Sequence, residues 1–171
     1  MPSEMEKLLR AVADYLKERC VEAEGVSEYQ YSPEGSEGVI REGGIPYAEL
    51  EHFLGKLEDT FSEKLFQWIV KKDLKEPEVY KRAHMDRKLF SKIRNNADYR
   101  PSKGSAIALA IGLGLNLEET KDLIGRAGYA LSRSSKFDMI IEYFIDQKNY
   151  DITEINEVLF AFEQPLISAK A

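Results

Sequence analysis

A chain of 171 residues, 43% hydrophobic and 32% charged, has the composition of a globular protein with a core, not of a disordered chain. No apolar run approaches the roughly 20 residues that cross a bilayer, and the acidic start at 1–6 carries no signal-peptide pattern, so no membrane association is expected. The net charge of −6 excludes a uniformly basic nucleic-acid binder, and the single cysteine, Cys20, excludes an internal disulfide or a Cys-rich metal site, as expected of a cytoplasmic protein.

In chain order the signals are almost all helical. Ser3 with Glu6 makes a capping-box pattern ahead of Leu8, Leu9, Val12, Tyr15 and Leu16, which predicts an amphipathic helix to about Cys20. Glycines, prolines and acids over 25–46 break any helical period. That stretch predicts a Gly-rich loop with room for a small hairpin, its candidate strands at 26–31 and 39–41. Helical spacing returns through Leu50, Phe53, Leu54 and Leu57.

Thr60 and Glu63 repeat the capping-box pattern before a stripe of Phe61, Leu65, Trp68 and Ile69, a helix ending near Lys72. Pro77 suits the first turn of a short helix, and Asp86 is placed to cap the next one. On that next helix Met85, Leu89, Phe90 and Ile93 point inward. Arg87, Lys88, Ser91, Lys92 and Asn95 share the outer side, because i, i+1, i+4, i+5 and i+8 fall together on a 3.6-residue helix. A small-residue helix follows from Ser102 to Leu113, with Ala106, Leu109, Ala110 and Leu113 inward. Asn116 with Glu119 caps another through Leu123 and Ile124. Two more helices close the chain. One is striped by Phe137, Ile140, Ile141, Phe144 and Ile145; the other is capped by Asp151 with Glu154 and buries Ile155, Val158, Leu159 and Phe162.

Charge is unevenly spread along this order. Residues 1–61 carry a net −8, residues 62–105 a net +6, and residues 106–171 a net −4. The basic section contains the pair of short helices at 76–94, and a basic helix after a tight turn is how a helix-turn-helix meets a DNA major groove.

The helix pair, the Arg100-Pro101-Ser102 approach to the next helix and the run from Ala106 to Glu119 together resemble the Cro/C1 (lambda-repressor-like) helix-turn-helix family. The resemblance covers about 60–126. Two positions depart from the family pattern: Tyr80 stands where a small residue is usual, and His84 where the turn usually has glycine. The resemblance implies an all-α fold, a repressor-type bundle with two extra C-terminal helices over 60–167, preceded by an acidic extension over 1–59. It implies a non-enzymatic bacterial or phage transcriptional regulator that binds double-stranded DNA. Arg87 and Lys88 would then reach base edges, Ser91, Lys92 and Asn95 bases or phosphates, and Arg100 and Lys103 phosphates. The alternative is an adaptor or inhibitor that reuses the scaffold in a defence or toxin-control system, with Leu8, Leu9, Val12, Tyr15 and Leu16 docking a protein partner or a second copy.

Other chemistry has little support. His52 and His84 lack companion ligands, so no metal or cofactor is expected. Gly112-Leu113-Gly114 follows a helix, not a strand, which removes the context of a dinucleotide loop. Trp68 is expected in the core. Tyr80 and Tyr99 are expected to pack on neighbouring helices, with base stacking as the alternative.

Overall fold

The computed structural model describes residues 3–24 and 58–167, with only the backbone described over 17–24. The expected Gly-rich loop and hairpin, the helix through Leu50–Leu57, and His52 lie outside the described residues. Among the described residues all regular structure is helical: α1 (Glu4–Glu24), α2 (Phe61–Lys71), α3 (Glu76–Arg82), α4 (Arg87–Asn95), α5 (Lys103–Gly112), α6 (Leu117–Arg126), α7 (Lys136–Asp146) and α8 (Ile152–Ala161).

Local sequence explains where these helices begin. The Ser3–Glu6, Thr60–Glu63 and Asn116–Glu119 boxes form in both directions, so each satisfies two backbone donors that a helix start leaves unpaired. Asp151 accepts from the Thr153 and Glu154 N–H groups, while Glu154 turns to the Asn149 amide instead of closing its box. Asp86 occupies the N-cap of α4 but makes no side-chain cap bond. The first helix outruns its expected end near Cys20 and continues to Glu24.

The ends share one device. Helices α2, α3, α5, α6, α7 and α8 each close with paired backbone bonds in a Schellman motif, such as Met85 N–H to Tyr80 C=O (2.8 Å) with His84 N–H to Lys81 C=O (3.1 Å). Each motif needs a left-handed residue. Glycine supplies it only at Gly114 and Gly128; Asp73, His84, Lys148 and Glu163 supply it elsewhere.

The core sits around α5. The residue pattern predicts a one-sided stripe there, but every residue from Ser105 to Gly112 is buried, because α3 and α6 cover the helix from two sides. Small residues permit the approach. A Cβ at Gly112 would stand 2.8 Å from the Val79 carbonyl oxygen and 3.2 Å from the Ala83 Cβ. Outside this centre α2 lies on α6, α7 on α8, and α1 on α7. The α1 stripe, centred on fully buried Val12, packs into the common core with Leu8, Leu9, Tyr15 and Leu16 half-buried beside it.

Candidate functional site

The face built by α4 is the most concentrated group of sequence-expected site residues. Its inner side is fixed by packing: Leu89, Phe90 and Ile93 are buried, and Phe90 stacks with Tyr80 of α3 (5.4 Å between centroids) and Phe66 of α2 (5.8 Å). Met85 is buried in the turn just before it. The Ser62 hydroxyl donates to the Ile93 carbonyl at 2.8 Å, satisfying an acceptor near the helix end that would otherwise lack an intrahelical partner. Arg94 bonds Glu76 at 2.6 Å, which ties the last turn of α4 to the first turn of α3. With these restraints α4 has little freedom to rotate about its axis.

That orientation brings Arg87, Lys88, Lys92 and Asn95 to the exposed side, with Ser91 half-exposed between them. Among the described residues no ion pair holds Arg87, Lys88 or Lys92; the Lys92 ammonium lies 5.0 Å from the centre of the Tyr99 ring. No acidic residue occurs over 87–97 or 99–117, so Asp98 is the sole negative charge in that run.

The two residues expected as phosphate anchors are already engaged within the fold. Arg100 donates to the Ala127 carbonyl and lies over Tyr129, 5.5 Å from guanidinium carbon to ring centre. Its guanidinium occupies the place a Cβ would take at Gly128. The Lys103 ammonium sits 2.8 Å from both carboxylate oxygens of buried Asp138. Arg100 therefore joins the loop after α4 to the end of α6, and Lys103 joins the first turn of α5 to the first turn of α7.

The departures from the family pattern have clear structural roles. His84 adopts φ 49°, the left-handed conformation that its turn requires. Tyr80 fills the α3–α4 contact with an aromatic pair, while α3 comes close to α5 at Gly112, where a Cβ would stand 3.2 Å from the Ala83 Cβ. The Glu76–Arg94 contact leaves no trace in the residue pattern, since an ion pair 18 residues apart has no helical period.

The expected partner-docking stripe is turned inward. Tyr15 packs edge-on to Tyr143 (5.1 Å) and donates to Asp146, so this face of α1 is occupied by α7 of its own chain. Leu9 of the same stripe, with Met5, instead borders a shallow groove with His84, Leu166 and the 76%-exposed Phe160.

A second polar surface joins α6 to the residues before α2. Arg126 bonds Asp122, the Asp59 carbonyl (2.8 Å) and Glu58, while Lys64 reaches Asp122. Tyr150 donates to the Leu115 carbonyl (3.0 Å); burial, with Glu119 nearby, pushes its phenol above the ordinary value of 10.0.

Among the described residues no group of three or more His, Cys, Asp or Glu side chains stands where it would hold a metal, and no helix is long and apolar enough to cross a membrane. Comparison with protein-family models, curated proteins and solved structures finds no match.

Proposed function

We propose that this chain is a non-enzymatic DNA-binding regulator in which α3 and α4 form a repressor-type helix-turn-helix and α4 enters the major groove of a duplex. The observation that carries this reading is the basic face of Arg87, Lys88 and Lys92, without an ion pair among the described residues, on a helix whose inner side is locked by Phe90, Ile93 and the Glu76–Arg94 pair. In a chain of net charge −6, the run 87–97 holds four Lys/Arg and no acid of its own, with Asp86 before it and Glu76 taken up by Arg94; this is a local departure from the overall balance, and phosphate attraction responds to local charge. Arg87 and Lys88 stand in the first turn of α4, from which side chains reach guanine O6 and N7; Ser91, Lys92 and Asn95 continue along the groove or its phosphates.

The test is binding of the full chain to a mixed-sequence duplex over a series of salt concentrations, read by fluorescence anisotropy. Affinity is expected to fall steeply with salt. Lys92→Ala should reduce the logarithmic slope by about 0.9, the share of one phosphate contact. No binding at low salt would reject the reading.

A further inference from the structure

The segment between α6 and α7 and the first residue of α7 carry two exposed cations, Arg133 and Lys136, that the α4 face does not include. Their position follows from a small set of contacts. The Lys103 ammonium bridges the Asp138 carboxylate, which also accepts from the Ser132 N–H at 2.8 Å. Tyr129 donates through its hydroxyl to the Pro101 carbonyl at 2.9 Å, and Arg100 donates to the Ala127 carbonyl. The Ser132 bond closes the segment on Asp138, and the others join 127–138 to 100–103, the stretch that leads out of α4 into α5.

The pinning brings the first turn of α7 beside the first turn of α5, and Asp138 is taken up by Lys103 and the Ser132 amide. Arg133 and Lys136 have no ion-pair partner among the described residues, and no acidic residue occurs over 123–137. The loop Ser132–Ser135 adds hydroxyls: Ser132 and Ser134 bond each other at 2.6 Å, and Ser135 caps α7. A segment tied down at Ala127, Tyr129 and Ser132, with two cations that carry no ion pair among the described residues and no acid over 123–137, has the chemistry of a backbone-phosphate contact, which needs positive charge and no base-edge reach.

We infer that Arg133 and Lys136 form a second, sequence-independent contact to the phosphate backbone of the same duplex that α4 engages. This rests on the DNA-binding reading above and extends its footprint from the helix pair into the C-terminal extension. Lys103 and Arg100 then act as positioning residues for this edge, since their charged groups are held by Asp138, Ala127 and Tyr129.

The test compares the full chain with the double variant Arg133→Ala/Lys136→Ala on the mixed-sequence duplex, across salt. The double variant is expected to lower the logarithmic salt slope by about 1.8, two phosphates' worth, and weaken low-salt binding about tenfold or more. Arg133→Lys/Lys136→Arg, which keeps both charges, should retain the parent's slope; equal loss in this swap would overturn a charge-based contact. A double variant with the parent's slope and affinity, in a background where Lys92→Ala still lowers the slope, overturns the second edge and leaves the α4 reading standing. A parent chain with no salt-dependent binding overturns both.

Discussion

At the scale of single residues, His84 shows how a fold accepts a local cost. Its left-handed φ of 49° is required because the α3 motif turns the chain there before α4 begins, and a Cβ-bearing residue is disfavoured in that region. His84→Gly is expected to raise stability by about 0.5–1 kcal/mol, the relief of strain exceeding the added freedom of the unfolded chain. A lower urea midpoint in the variant would show instead that the imidazole contributes more beside Met5 and Leu9 than the strain removes. Tyr150 supplies a pH-dependent counterpart. Its folded-state pKa is raised, so its contribution is complete below pH 10 and declines as the unfolded chain ionises first above that. Tyr150→Phe is expected to cost about 1 kcal/mol at neutral pH through the lost bond to Leu115. That deficit should narrow as denaturation is repeated above pH 10; a constant deficit would contradict the shift.

At the scale of elements, helix starts were legible and helix packing was not. Ser3, Thr60, Asn116 and Asp151 announce four N-termini because a capping interaction involves residues two or three apart, within reach of local inspection. The ends at Asp73, Lys148 and Glu163 were obscured, since none is the glycine that usually marks a left-handed cap. Burial of α5 on both sides was equally hidden: Ala106, Ile107, Ala108 and Leu109 are apolar in sequence whichever face is covered, and α3 and α6 determine the outcome. Gly112 is the sharpest consequence. A Cβ there would meet the Val79 carbonyl oxygen at 2.8 Å, so Gly112→Ala must push α3 away from α5 and is expected to cost about 2 kcal/mol or more. Thermal denaturation gives the measurement, and an unchanged midpoint would mean that the α3–α5 contact yields without loss. Because α3 carries Tyr80 against Phe90, the same substitution should also loosen α4.

At the scale of the molecule, α1 is not separate from the described helices that follow it. Val12 is fully buried and Tyr15 reaches both Tyr143 and Asp146, so α1 completes the core over α7. Val12→Ala is expected to cost about 2 kcal/mol through lost transfer energy and a cavity, and to speed amide exchange in α1 and α7. Protection in α7 that stays at the parent's level would show that α1 adds little to the bundle. The DNA binding proposed above should persist in this variant, because the restraints on α4 named above come from α2 and α3.

The helical character of the described residues, the caps, the buried stripes and the outward set on α4 were determined by the sequence itself, because each depends on neighbours within one or two helical turns. Tertiary structure alone decided which cations remain unpaired. Arg100 and Lys103 looked equivalent to Arg87 and Lys92 as positive charges, yet Ala127 and Asp138 hold the first two while the second two carry no ion pair among the described residues. Those partners stand 27 and 35 positions away, and an electrostatic contact depends on separation in space, to which spacing along the chain at that range gives no guide.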